Sequence, residues 1–273
     1  MKTKQTNPFC VRGQKSIIGM VHLPPLPGTP FFVEGSFTAM KEAAVRDALA
    51  LDHGGADGCL VQTVDRVYPT DNGCDPARVS ALTMIASAVV EATRADFVVG
   101  VQIMSNAIDA SIAVAKIVGA DFVRATAFIG ATATQWGLLQ GDPQRTIAYR
   151  KSIAAEDIAI VADIRTQHFS WTGGTPTVAR IARWAKEAGA DAVCLGDPDE
   201  AVVAALAGEV RIACPNLPIM LSGHTDHANA ARLLAHADGA LVGTCLQGQE
   251  WAGAIEEERV RAYLTTARGN GHG

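Results

Sequence analysis

The stretch Gly55-Ala56-Asp57-Gly58-Cys59-Leu60-Val61-Gln62 decides the fold, because its opening tripeptide returns along the chain. Gly-Ala-Asp recurs at 119–121 and 189–191, His-Ala-Asp lies at 236–238, and a short apolar run follows each copy. Glycine ends helices readily because it accepts the left-handed conformation, and short apolar runs are typical of buried parallel strands. The four aspartates are 64, 70 and 47 residues apart, which suits four repeats of a two-strand, two-helix unit. The pattern predicts an α/β fold, a single (β/α)8 TIM barrel.

The chain length fits one such barrel, since 273 residues leave no room for a second domain. We expect an N-terminal extension at 1–15, the barrel at 16–268 and a flexible C-terminal tail at 269–273. The predicted strands are 16–22, 58–62, 97–103, 122–125, 158–164, 192–195, 218–221 and 239–242. Ser36 and Asp75 are candidate N-caps of the first two helices, and the last helix is predicted at 256–267. The long segment between the fourth strand and Gln140 predicts a lid or a pocket wall.

Composition and charge exclude several classes of protein. The chain is 48% hydrophobic with a formal net charge of −5, so it lacks the basic face that nucleic-acid binding requires. The six cysteines form no CxxC pair and no apolar run reaches about 20 residues, so we expect a cytoplasmic protein with reduced thiols and no membrane span. A homo-oligomer is an option, with Trp171 and Trp251 as candidate interface residues, although single tryptophans on barrel loops commonly serve only packing.

Two strand ends carry the residues expected of a phosphate site. Ser222-Gly223 follows the seventh strand and Gly243-Thr244 follows the eighth. Phosphate-binding barrels use these two loops, where glycine lets backbone N–H groups approach an anion, a hydroxyl adds a donor, and the helix that follows adds its dipole. Small residues can also simply turn a strand into a helix. Because both positions carry the signal, we favour an anion site.

The end of the fifth strand carries a candidate acid–base pair, Asp163 and His168. Asp163 ends an apolar run and should point into the barrel mouth, where a carboxylate can act as a base. The alternative for Asp163 is a buried ion pair with Arg124 on the fourth strand. The alternative for His168 is a capping role within its loop.

Further polar residues are predicted at the same rim, which is how a pocket forms. They are His22, Gln62, Gln102, Arg124, Asp197 and His224. His22 could instead bond a backbone carbonyl under the proline-rich loop 23–27. His224 and His227 are three residues apart, so a divalent metal is an alternative, although the sequence does not favour one and identifies no cofactor.

Absent motifs narrow the chemistry. The lysines at 2, 4, 15, 41, 116, 151 and 186 all lie in the extension or in helix-like segments, so no strand end offers a Schiff-base amine. No GxGxxG, Walker loop or GxSxG elbow is present, which disfavours dinucleotide, nucleoside-triphosphate and serine-hydrolase functions.

The opening Ile17-Ile-Gly-Met-Val-His-Leu-Pro-Pro-Leu-Pro-Gly28 resembles the BtpA family. The resemblance extends over nearly the whole chain, through the Gly-Ala-Asp turns, the 130–141 loop and 238–244. It implies a barrel of the ribulose-phosphate-binding branch and a family role in photosystem I accumulation, without implying a catalytic activity.

The chain also departs from the family pattern. Where the family has Glu-Asn after the second strand it has Gln62-Thr63, and Arg165 and Gln167 replace a histidine and a lysine in the strand-five motif. Glutamine keeps the hydrogen-bonding shape of glutamate but cannot act as a titrating base, so the resemblance implies altered or lost family chemistry. Asp197 is a candidate replacement carboxylate.

Together these observations predict a lyase or isomerase that acts on a small phosphorylated sugar by general acid–base chemistry. Asp163 is the predicted base, His168 the acid or orienting group, Asp197 and His22 further catalytic candidates, and Arg165 a substrate-binding residue. Two alternatives remain. The first is a non-catalytic binding or assembly protein that keeps the pocket, and the second is a metal-assisted enzyme built from Asp163, His168 and His224.

Overall fold

The computed structural model describes residues 7–9, 14–248 and 253–269, with ten strands and eight α-helices in these ranges. The strands are β1 Ser16–Leu23, β2 Gly58–Thr63, β3 Val98–Gln102, β4 Phe122–Ala125, β5 Ala131–Thr134, β6 Gly137–Gln140, β7 Ala159–Arg165, β8 Ala192–Leu195, β9 Ile219–Ser222 and β10 Gly239–Val242. The helices are α1 Phe37–His53, α2 Pro76–Ala92, α3 Ile108–Val118, α4 Pro143–Ser152, α5 Val178–Glu187, α6 Glu200–Ala213, α7 Ala230–Leu234 and α8 Glu257–Arg268. Strands β1, β2, β3, β4, β7, β8, β9 and β10 close a parallel barrel in that order. The predicted TIM barrel is confirmed.

The repeated tripeptide joins neighbouring strands at the amino-terminal end of the barrel. The glycines of the first three copies have φ values of 91°, 75° and 106°, while His236 of the fourth copy lies outside the left-handed region. Each aspartate carboxylate accepts the backbone N–H of the strand that precedes it in the barrel. The pairs are Asp57 with Ile17 at 2.7 Å, and Asp121 with Val99, Asp191 with Ile160 and Asp238 with Ile219 at 2.8 Å. The aspartate is therefore repeated because it fixes strand register.

Replacing Asp191 by alanine should lower the free energy of unfolding by about 1.5–3 kcal/mol, the value of a hydrogen bond to a charged group. The change leaves the Ile160 N–H without its acceptor and removes the carboxylate that pairs with Arg150. Urea unfolding measures the loss. The matched control is Asp157→Ala, which removes a surface ion pair with Lys116 and should cost well under about 1 kcal/mol. Equal losses in the two variants would contradict a register role.

The barrel interior is apolar at its amino-terminal end and polar at its carboxyl end. The lower layers include Ile18, Leu60, Phe122, Val161, Met220 and Leu241. Phe9, from the predicted extension, is fully buried among them, with its ring centroid 5.1 Å from that of Phe122. Gly100 makes room for the Phe122 ring, because a Cβ at position 100 would lie 2.2 Å from the Cζ atom of Phe122.

Strand alternation sets the polar layer, since side chains two residues apart on a strand share a face. Two or four residues after the apolar inward positions come His22, Gln62, Gln102, Arg124, Asp163 and Ser222, and Gly243 holds the corresponding position after Leu241. The sequence pattern of six of the eight barrel strands thus places polar side chains at the carboxyl end of the barrel.

The segment predicted as a long loop contains the hairpin β5–β6, whose antiparallel register pairs Ala131 with Gln140 and Thr134 with Gly137. Its first strand is tied to the segment after β7, because the Thr132 hydroxyl accepts the Ser170 N–H at 3.0 Å. These strands could not be predicted because each has only four residues, and Gly-Leu-Leu-Gln contains none of the β-branched and aromatic residues typical of strands.

Two helix starts differ in how they are capped. Asp75 caps α2 as predicted, accepting the N–H groups of Ala77 and Arg78. Ser36 occupies the N-cap position of α1, but its hydroxyl donates to the Val33 carbonyl instead.

Some expectations concern residues outside these ranges. Trp251 and positions 270–273 of the predicted tail lie there. Among the described helices, none combines the length and apolar character needed to cross a bilayer.

Candidate functional site

A cavity of about 820 Å³ opens at the carboxyl end of the barrel. Nine of the thirteen predicted site residues line it: His22, Gln62, Arg124, His168, Ser222, Gly223, His224, Gly243 and Thr244. The barrel brings them together because parallel strands all end at this rim. The other four, Gln102, Asp163, Arg165 and Asp197, do not line the cavity.

The two predicted phosphate loops form one side of the cavity. Gly223 and His224 have positive φ values of 76° and 59°, so the chain turns sharply after β9. Gly243 lies beside β1, where a Cβ would come within 3.3 Å of His22 Cε1. A 3₁₀-helix of only three residues, Thr244–Leu246, follows Gly243, and α7 has five residues. The helix dipole expected from the sequence is therefore small, and anion binding here would depend on backbone N–H groups and hydroxyls.

Arg124 forms the charged floor of the cavity. Its Nε and Nη2 donate to the two carboxylate oxygens of Asp163, both at 2.9 Å, and Nη2 also donates to Ser222 Oγ at 2.8 Å. Burial opposes the charge of Arg124, but the Asp163 carboxylate outweighs it and raises the pKa of the guanidinium. Arg124 is therefore a fixed cation that reaches from Asp163 to the β9 loop.

Asp163 is held beneath the cavity rather than in it. Its side chain is 0% exposed, and Oδ2 also accepts the Thr166 hydroxyl at 3.0 Å. The structure thus gives Asp163 the buried ion pair with Arg124 that was the alternative to a base. With both oxygens engaged and no face on the cavity, Asp163 holds Arg124 in position.

Two neutral histidines face the cavity. Burial first, and then the charge of Arg124, lowers the pKa of His22 and of His168 to about 4. Gln247 Nε2 lies 3.3 Å from His22 Nδ1, and Gln167 Nε2 lies 3.1 Å from His168 Nε2. An imidazole that is neutral at pH 7 can accept a proton, so these rings are the bases that the geometry offers.

The lowered histidine pKa values predict a loss of stability in acid. Between pH 6.5 and about 4 the unfolded histidines bind protons that the folded ones do not. Their stabilising contribution is therefore complete above pH 6.5 and falls as the pH falls towards 4. At about 1.4 kcal/mol per pKa unit, each histidine should cost about 2–3 kcal/mol by pH 4.5. Urea unfolding at pH 7.5 and 4.5 should show a smaller drop for His22→Gln/His168→Gln than for wild type; identical drops would contradict the assignment.

The other three predicted residues outside the cavity, Gln102, Arg165 and Asp197, also have partners of their own. A register shift between Asp163 and Arg165 carries Arg165 out of the inward-facing set, and its side chain is 50% exposed and 3.4 Å from Asp197. Asp197 also accepts the Asp199 N–H at 3.0 Å. Gln102 donates to Thr126 Oγ1 at 3.1 Å. Strand position alone could not reveal these local pairings.

Aromatic residues complete the opposite wall, and one of them lies in the segment before Gln140 that the sequence predicts as a lid or a pocket wall. Trp136, at the tip of the β5–β6 hairpin, packs edge-on against Tyr68 with ring centroids 4.8 Å apart. Arg66 lies beside them, with its guanidinium 5.4 Å from the Phe31 ring centroid. This wall forms where two loops that are distant in sequence, 64–75 and 131–140, come together, and neither loop alone indicates that contact.

The described part of the chain contains no cluster of side chains that could bind a metal ion. No group of three or more histidine, cysteine, aspartate or glutamate side chains there is close enough to hold an ion. Asp163, His168 and His224 therefore do not form the metal set considered from the sequence.

Comparison with solved structures shows the same fold at low identity. Tryptophan synthase from Mycobacterium tuberculosis superposes with a TM-score of 0.60 at 15% identity, covering 95% of both chains. Orotidine 5′-phosphate decarboxylase from Pyrococcus horikoshii superposes with a TM-score of 0.56 at 14% identity, covering 91% of this chain and 99% of the other. At these identities the likeness shows the barrel alone.

Sequence comparison identifies the family. The chain is 32% identical to the photosystem I biogenesis protein BtpA of Synechocystis sp. over 256 residues, covering 91% of this chain and 86% of that protein. It is 30% identical to a protein of Archaeoglobus fulgidus, covering 94% of this chain and 100% of that one. The BtpA family model matches residues 13–269, so the chain belongs to the BtpA family.

Proposed function

We propose that this protein is a lyase or isomerase that acts on a small phosphorylated metabolite at the carboxyl end of its barrel. One observation carries the proposal: the β9 and β10 loops, a buried arginine and two neutral histidines line one cavity of about 820 Å³. An anion site beside proton acceptors is the combination that proton transfer on a phosphorylated carbonyl compound requires.

Each group has a distinct task in this proposal. The loops at Ser222, Gly223, Gly243 and Thr244 bind phosphate through backbone N–H groups and hydroxyls. Arg124 stabilises negative charge that develops on the substrate oxygen, because its guanidinium is already fixed by Asp163. His168 accepts the substrate proton, and His22 is a second acceptor on the same wall of polar residues.

The phosphate assignment is tested by placing a carboxylate in the β10 loop. Gly243→Asp should weaken the binding of inorganic phosphate by more than tenfold in isothermal titration, because it adds a negative charge and crowds His22. The matched control is Gly208→Asp in α6, where an added Cβ meets no atom within 4 Å. That variant carries the same charge change and should bind phosphate as wild type does. Equal weakening in both, or no phosphate binding by wild type, would overturn the assignment.

A second candidate is a non-catalytic binding or assembly protein that uses the same cavity. The observation that favours it is the scarcity of titrating carboxylates: Asp226 lines the cavity, but its carboxylate accepts the N–H groups of Ala228 and Asn229 in its own turn. The name of the Synechocystis relative, a photosystem I biogenesis protein, agrees with an assembly role. Phosphate binding without deuterium exchange or turnover across triose, tetrose and pentose phosphates would favour this candidate.

A further inference from the structure

A second cavity of about 390 Å³ lies under the β5–β6 hairpin and opens into the first. Five residues line both cavities, and they mark the junction between them: Met104, Gln135, Trp136, Gln167 and His168. The hairpin forms the roof, and the carboxyl ends of β4 and β7 form the floor. The two spaces are therefore continuous, with His168 at their boundary.

The lining of this second cavity is rich in hydroxyl groups and uncharged. Its hydroxyl-bearing residues are Ser105, Thr126, Thr132, Thr134, Thr166 and Ser170. Among the described residues that line it, none is an aspartate, glutamate, lysine or arginine. The hydroxyls of Thr126, Thr132, Thr134 and Thr166 already form hydrogen bonds within the protein, so Ser105 and Ser170 are the hydroxyl residues left to contact a ligand, and the lining adds no charge.

A nearly buried hydroxyl residue and an unpartnered amide oxygen line the two cavities. Ser105 lines the second cavity and is 3% exposed. Gln62 is 5% exposed at the floor of the first cavity, and its Oε1 is buried there without a partner among the described residues. A buried polar group without a partner costs free energy, and a ligand that bonds it recovers that cost.

We propose that the second cavity binds the uncharged polyhydroxyl arm of a substrate whose phosphate lies at the β9 and β10 loops. This inference rests on the proposed function and narrows it: the substrate is a monophosphate with a hydroxylated chain longer than three carbons. A second phosphate or a carboxylate on that arm is disfavoured, because burying a charge without a counter-ion is costly. Trp136 at the junction supplies an apolar face for the C–H groups of the chain.

The arrangement also assigns the reacting position. A substrate that spans both cavities passes His168 at the junction, between its phosphate end and its polyol end. The bond that changes is therefore internal to the carbon chain. The residues that line the second cavity contact the hydroxyl groups of the chain and select for their arrangement.

Isothermal titration with four probes tests the second cavity. The probes are inorganic phosphate, glycerol 3-phosphate, ribitol 5-phosphate and ribulose 1,5-bisphosphate, and the proteins are wild type, Ser105→Ala and Ser105→Leu. Wild type should bind ribitol 5-phosphate at least tenfold more tightly than glycerol 3-phosphate or the bisphosphate. Ser105→Leu fills the cavity and should abolish that advantage, and Ser105→Ala, which keeps the space, should reduce it severalfold. Inorganic phosphate should bind all three proteins equally.

Equal affinity of wild type for ribitol 5-phosphate and glycerol 3-phosphate, or an equal loss of every probe in the Ser105 variants, would overturn the inference. Unphosphorylated ribitol separates this failure from failure of the phosphate site. If wild type binds no phosphate, the proposed function fails. Ribitol binding that is lost in Ser105→Leu would still support the polyol site, and no ribitol binding would overturn it too.

Discussion

Replacing Arg124 by methionine should lower the free energy of unfolding by about 3–5 kcal/mol, the usual cost of removing one partner from a buried ion pair. The arginine and Asp163 side chains are 3% and 0% exposed, so the substitution leaves a buried carboxylate without its cation. The Thr166 hydroxyl and the buried Cys194 thiol would remain as donors to the carboxylate. Urea unfolding at pH 7 measures the loss.

A double variant distinguishes the ion pair from simple packing. Arg124→Met/Asp163→Leu removes both charges together, and it should recover most of the stability lost by either single change. The comparison pair is Arg145 with Asp109 on the surface, where the same cycle should give a coupling below about 1 kcal/mol. Additive losses at 124 and 163 would show that the charges do not depend on each other.

The ion pair between Arg124 and Asp163 affects the interpretation of an Asp163→Asn variant. Loss of turnover in that variant would follow from a displaced Arg124 as readily as from a missing base. The binding of inorganic phosphate separates the two roles, because a base has no part in binding whereas a displaced Arg124 and Ser222 alter the cavity floor. We expect Asp163→Asn to weaken phosphate binding as well as turnover.

The fold could be read from the sequence because its signals are local. A glycine at φ 75° and an aspartate that accepts a strand N–H are both properties of three or four consecutive residues, as at Gly119 and Asp121. Hence the strand order and nearly all strand positions were predicted. The β5–β6 hairpin was missed because its stability comes from contacts such as Thr132 with Ser170, 38 positions apart.

Strand alternation predicts which site residues face the barrel interior, but it does not predict which of them contact the cavity. Inward positions at strand ends gave Gln62, Arg124 and Ser222 correctly as cavity residues. Alternation could not reveal that Asp163 would be covered by Arg124, since both are inward-facing and only three-dimensional packing decides which one meets the cavity. It also could not anticipate the register shift that turns Arg165 outward.

Replacing His168 by glutamine should reduce the catalysed exchange of substrate protons by about 10²–10⁴-fold, the usual contribution of a general base. The measurement is deuterium incorporation from D₂O into ribulose 5-phosphate, followed by NMR. Glutamine keeps hydrogen-bonding capacity at the junction of the two cavities but cannot take up a proton at neutral pH. His22→Gln should have a smaller effect, since His22 lies away from the second cavity.

The control for this prediction is His236→Gln, an exposed histidine at the amino-terminal end of the barrel, which should leave exchange unchanged. The pH dependence provides a second check. Because the pKa of His168 is about 4, the residue remains neutral from pH 8 down to about 5, and exchange should fall only as the pH approaches 4. A loss of exchange centred near pH 6.5 that disappears in His168→Gln would mean that Arg124 and burial do not hold this ring neutral. Unchanged exchange in His168→Gln would remove it as the base and move the assignment to His22, the other cavity histidine whose pKa burial lowers.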